Sequence, residues 1–148
     1  LIALLCIFSE FTLSAQPQEP VKWNIVSKNL DKDHVEITIT GQIEKNWHTY
    51  SQRETDAGPV PTSIKFKESK LYSLEGKAEE IGAHEEFVKA FDAKVYVFEE
   101  KAVFKQKIKR VDKKDFEVEC ELEYMSCNDM MCLPPKTILL KTKVLAVK

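Results

Sequence analysis

Apolar and polar residues alternate along most of this chain with the two-residue period of strands, and no long helical period competes with it. The clearest case is His34 to Ile43, where Val35, Ile37, Ile39 and Ile43 share one face. Phe116 to Met125 is as regular: Val118, Cys120, Leu122 and Tyr124 lie on one side, and Glu117, Glu119, Glu121 and Glu123 on the other. In Ala102 to Arg110 the residues Ala102, Phe104, Gln106 and Ile108 oppose Val103, Lys105, Lys107 and Lys109. The same reasoning predicts strands at Val21–Ser27, Trp47–Ser51, Thr62–Lys67, Lys94–Phe98 and Ile138–Val147. Gln52 to Pro61, with Gly58-Pro59 and Pro61, reads as a loop. Leu71 to Ile81 is ambiguous, with a short strand expected at Tyr72 to Leu74. Glu79 to Phe91 could be scored as helix, but Gly82 and His84 interrupt it and a loop is expected. Short strands separated by turns predict an all-β antiparallel sandwich, immunoglobulin-like by preference, with a barrel as the alternative that pattern alone leaves open.

A chain of 148 residues with 43% hydrophobic content suffices for one domain with its own core. Lysine and arginine number 22 against 24 acids, so the balance supplies no general electrostatic pull toward nucleic acid or an anionic membrane. Leu1 to Ala15 has the apolar run and small-residue end of a secretory signal peptide whose start is clipped, and Gln16 to Pro20 reads as a linker. Residues 21–148 are then the domain, and Cys6 leaves with the leader. Export would place the domain in an extracytoplasmic compartment where disulfides persist.

The chemistry concentrates in Tyr124-Met125-Ser126-Cys127-Asn128-Asp129-Met130-Met131-Cys132-Leu133-Pro134-Pro135, which holds two of the 4 cysteines and all 3 methionines. Cys127 and Cys132 fall in a turn between two expected strands, where a bend can bring them within bonding reach. Spacing alone leaves a structural staple and a redox dithiol equally open. A short loop restrains little of the unfolded chain, and a turn is not where an inter-sheet staple would lie; both points favour redox exchange. No lysine, arginine or histidine stands between the cysteines, so activation of a thiol must come from residues distant in sequence. Met125, Cys127, Met130, Met131 and Cys132 are also side chains that suit Cu(I), which keeps an immunoglobulin-like binding or Cu(I)-carrier module with a structural cysteine pair as the rival, although packing explains the methionines as well. The scattered histidines 34, 48 and 84 give no zinc pattern. Cys120 is expected to be a buried free thiol.

On this motif the chain resembles the amino-terminal periplasmic domain of the DsbD thiol:disulfide interchange family. Tyr124 stands for the aromatic residue before the cysteine pair, Asp129 for the acid within it, and Leu133-Pro134-Pro135 for its end. The pair is one residue closer than in the best-known members. Asn46 to Tyr50 resembles the family's aromatic strand beside the cysteines, and the likeness runs roughly from residue 20 to 146. It implies an immunoglobulin-like fold without cofactor or metal. It further implies that Cys132 forms mixed disulfides, that Cys127 resolves them, and that an aromatic cap covers the pair. Phe91 is the first match for that cap, Phe87 the second, and His48 and Tyr50 occupy places where the family has tyrosines. The implied electron donor is a thioredoxin-like domain of the same membrane protein. The implied acceptors are a periplasmic disulfide isomerase or a cytochrome c maturation thioredoxin.

Overall fold

The computed structural model describes residues 18–55 and 58–147; the expected leader and Cys6 lie outside them. Eleven strands follow in order: β1 (Val21–Asn29), β2 (His34–Ile43), β3 (His48–Tyr50), β4 (Ser63–Phe66), β5 (Tyr72–Ile81), β6 (His84–Val88), β7 (Ala93–Glu99), β8 (Lys101–Arg110), β9 (Phe116–Tyr124), β10 (Ser126–Cys127) and β11 (Lys136–Val144). They form three antiparallel sheets, β1-β2-β8-β5, β11-β9-β4 and β10-β3-β7-β6. The described residues contain no helix. This is an immunoglobulin-like antiparallel β fold, as the alternation predicts.

The first two sheets enclose the main core. Val35, Ile37 and Ile39 of β2 and Phe104 and Ile108 of β8 meet Val118, Cys120 and Leu122 of β9 and Val144 of β11, all essentially inaccessible. Burying each such side chain stabilises the fold by about 1.5–3 kcal/mol. The glutamates of β9 point outward, where Lys141 and Lys67 pair with Glu119 at 2.9 and 3.3 Å. That face is a cross-strand ion-pair ladder, as expected of a solvated strand side.

Two expectations need correction. The segment Leu71 to Ile81 holds a full strand rather than three residues of one, and Glu79 to Phe91 is no loop: β5 runs to Ile81 along β8, bends at Gly82 with φ 96°, and continues as β6 along β7, and the chain reverses only after Val88. Both are sheet-edge strands rich in glutamate, and β5 carries a bulge between Glu75 and Glu79, so their alternation is blurred. At the bulge Gly76 takes φ 70°, and the amide of buried Gln106 donates to the carbonyls of Glu75 and Gly76 at 3.2 and 3.3 Å. A partner three strands' length away in sequence thus satisfies groups that no local pattern reveals.

Candidate functional site: a disulfide at the tip of a short hairpin

The third sheet has two unlike faces, and its register shows how. Ser126, Thr49 and Phe98 form one cross-strand row, and Phe98 belongs to the main core. One residue along, Cys127, His48 and Glu99 form the next row, which by alternation looks the other way. On that second face Tyr50, Val88, Val95, Val97 and Cys127 make a smaller apolar cluster, with Phe91, Ala93, Met125 and Cys132 packed at its margin.

After β10 the chain turns sharply. Asn128 N donates to Met131 O at 2.9 Å and Leu133 N to Ser126 O at 2.8 Å, so Cys127 and Cys132 face each other between these two bonds. Their sulfurs are joined, with Cα atoms 4.1 Å apart. The turn is held from within: Asn128 Oδ1 accepts from Met130 N and Met131 N, both at 2.9 Å. Asn128 is a site residue that the sequence reading missed; an asparagine directly after Cys127, able to bond backbone two and three residues on, was the available signal. Thr49 was missed as well: its hydroxyl donates to Met125 O at 2.8 Å and pins the hairpin to β3.

The two half-cystines differ in access. Cys127 is 1% exposed, whereas Cys132 is only partly covered, and Met130 beside it is 93% exposed. An incoming group therefore meets the Cys132 side of the bond. With both sulfurs bonded to each other, neither is a thiolate that could hold Cu(I) in this state.

Of the residues singled out from sequence, Phe91, His48 and Tyr50 gather here. The β6–β7 turn, closed by Phe91 N to Val88 O at 3.1 Å and Asp92 N to Lys89 O at 3.2 Å, lays Phe91 against the cluster. Its ring meets Tyr50 edge-on, 6.0 Å between centroids. Phe87 is 52% exposed, and its register opposite Lys94 puts it on the sheet's other face. His48 Nε2 lies 2.9 Å from the Tyr50 hydroxyl. Burial pushes the His48 pKa below its ordinary value, against the opposing pull of Glu86, Glu99 and Asp129. Burial, with Glu86 adding to it, raises that of Tyr50, so the phenol keeps its proton. Asp129 is exposed on the turn. Tyr124 is not at this cluster: it is buried in the main core, edge-on to Trp23 at 5.2 Å. Cys120 is the free cysteine among the described residues, and burial pushes its thiol up to about 11. His84, exposed on β6, faces Glu99 at 3.5 Å and Glu86 at 3.9 Å, a grouping hidden from a reading of scattered histidines.

Fold and site together define an immunoglobulin-like domain that presents one disulfide at its edge, reachable from a single side. The sequence model of the family described as "Thiol:disulfide interchange protein DsbD, N-terminal" matches residues 14–143, and the chain belongs to that family. Among solved structures, the amino-terminal domain of Neisseria meningitidis DsbD in its reduced form is similar at a TM-score of 0.53 and 16% identity, over 82% of each chain. The amino-terminal periplasmic domain of ScsB from Proteus mirabilis is similar at 0.56 and 17%, over 82% of this chain and 44% of that one. These likenesses bear on the fold. A search of curated proteins finds no match.

Proposed function

We propose that this domain carries electron pairs as the Cys127/Cys132 dithiol, from a membrane-linked thioredoxin-like donor to disulfide-bonded proteins outside the cytoplasm. A periplasmic disulfide isomerase or a cytochrome c maturation thioredoxin is the acceptor. The observation that supports this best is the unequal access of the two half-cystines at the hairpin tip. Exchange requires one sulfur that a partner can reach and a second held within bonding range to release that partner. In loading, a donor thiolate attacks Cys132 Sγ, the Cys127–Cys132 bond breaks, and Cys127 leaves as thiolate. The donor's second thiolate then attacks its own mixed-disulfide sulfur and frees Cys132. In delivery the Cys132 thiolate attacks the acceptor disulfide, and Cys127 closes on Cys132 to expel the acceptor in reduced form. Two electrons pass in each half.

An exposed dithiol would lose those electrons to oxidants at large, and the packing of Phe91 against the cluster that holds Cys127 supports a covering role for it. The reading also takes Leu1 to Ala15 as the export signal and residues 21–148 as the working domain. Single-cysteine variants test it. Cys132→Ser should abolish reduction of a thioredoxin-fold acceptor disulfide, and Cys127→Ser should accumulate a mixed disulfide through Cys132. Unaltered turnover by Cys132→Ser, or a native bond that resists dithiothreitol until the protein unfolds, would refute the proposal.

A further inference from the structure

The sheet that carries the disulfide places one more chemical group in line with it. Across three strands and the turn, the register runs Cys132, Cys127, His48, Glu99, each directly opposite the next. Directly opposed residues project to the same face with Cβ atoms about 4.5–5.5 Å apart, so the His48 side chain leaves the sheet beside Cys127, the inner half-cystine, and one place further from Cys132. Cys127 is also the sulfur that needs help. In delivery it must become a thiolate to close on Cys132, yet it is 1% exposed, and burial in an apolar cluster disfavours a thiolate.

We propose that His48 is the base that takes the proton from Cys127 as this thiol resolves a mixed disulfide on Cys132, an assignment that rests on the dithiol-relay reading above. The S–H proton of Cys127 passes to the imidazole, and the thiolate pair forms the bond to Cys132 Sγ. The Cys132–acceptor bond breaks, and the acceptor sulfur leaves with the electron pair of that bond and takes a proton from the imidazolium or from water. No further oxidant or reductant enters.

The surroundings of His48 suit the task. Its Nε2 is engaged by the Tyr50 hydroxyl at 2.9 Å, and the two rings meet edge-on at 5.3 Å. With Nε2–H donating to the phenol oxygen, Nδ1 is the acceptor left for the thiol. Tyr50 keeps its proton and orients the ring. Burial holds His48 neutral at physiological pH, the form a base requires. The charged groups around it are acidic: Glu99 on β7, Glu86 on β6 and Asp129 in the hairpin turn, with His84 of β6 bridging toward the two glutamates. They would stabilise the imidazolium once it forms.

The test reads the two steps apart. Reduced protein in a Cys6→Ser background is mixed in stopped flow with an aromatic disulfide that releases a coloured thiolate. The first release reports attack by Cys132 and the second reports closure by Cys127, while buried Cys120 stays silent. In the parent protein the second phase should be level between about pH 6.5 and 8 and fall at lower pH as the base protonates. His48→Gln should leave the first phase unchanged and slow the second by about 100-fold at neutral pH. Its rate should then climb about tenfold per pH unit, because the thiol must ionise unaided. A second phase of parental rate and level pH profile in His48→Gln would overturn the assignment and leave the relay standing. Equal slowing of both phases would also overturn it, since His48 would then shape the site as a whole. Release of no coloured thiolate by the reduced parent protein would remove the relay reading itself, and the assignment with it.

Discussion

Asn128→Ala isolates what the hairpin turn contributes to the redox balance of the pair. The Asn128 carboxamide accepts two backbone hydrogen bonds, from Met130 N and Met131 N, each at 2.9 Å, inside the segment that the disulfide closes. A hydrogen bond near the surface is worth roughly 0.5–1 kcal/mol net, so the two together hold the turn by about 1–2 kcal/mol. While the sulfurs are joined the turn is always formed and the full amount is realised. Once they are free the turn can open, and part of that amount is already lost. Removing the carboxamide therefore destabilises the oxidised form more than the reduced one. The disulfide becomes easier to reduce, by at most roughly 20–45 mV, using about 30 mV for 1.4 kcal/mol. Equilibration against glutathione buffers, followed by acid quench and alkylation, measures the midpoint directly. Asn128→Asp keeps an acceptor oxygen in place and should recover most of the shift. An unchanged midpoint in Asn128→Ala, or a move toward harder reduction, would show that the turn is equally formed in both states and would refute the reasoning.

Three further outcomes are expected. Phe91→Ala should speed oxidation of the reduced protein by small oxidants several-fold, while Phe87→Ala, on the opposite face of the sheet, should leave it unchanged; equal rates for both, measured by loss of free thiol, would remove the shielding role. Gly41→Ala should destabilise the domain by about 1–3 kcal/mol in urea denaturation, because the new Cβ would lie 2.6 Å from the Trp23 ring, which is wedged against Tyr124 and Phe104. The Asp31 carboxylate accepts from the backbone N–H groups of Asp33 and His34, both at 2.8 Å, and pairs with the His34 ring, which holds its pKa at about 2. A lowered folded-state value means stability that is fully present above the ordinary carboxylate pKa and lost as pH falls toward 2, so Asp31→Asn should flatten the acid limb of a stability–pH curve between about pH 4 and 2.

Alternation alone was enough to place β2, β8 and β9 and to sort their residues into two faces, because a strand buried on one face has no other way to satisfy both sides, and it located β11 without its faces. Val35, Ile37, Ile39, Phe104, Ile108 and Leu122 all lie in the core that their spacing predicts. The cysteine pair was legible for the same local reason: the chain between Cys127 and Cys132 is short, and the turn signals lie within it. The edge strands β5 and β6 were not legible, since a strand with one free edge tolerates charge on both faces and a bulge resets its period.

What lies around the sulfurs belongs to the tertiary structure. His48, Glu99, Glu86 and Phe91 come from separate strands and a turn, and only sheet register sets them on one side of β3, β6 and β7. Register likewise separates Phe91 from Phe87, which no spacing rule could do, because a shift of one residue along β6 exchanges the faces. The chain by itself therefore determined the strand faces and the bond-forming pair, both set by neighbours a few residues apart. The access to each sulfur and the company it keeps were decided by pairings between segments far apart in the chain, whose energies depend on the assembled sheet.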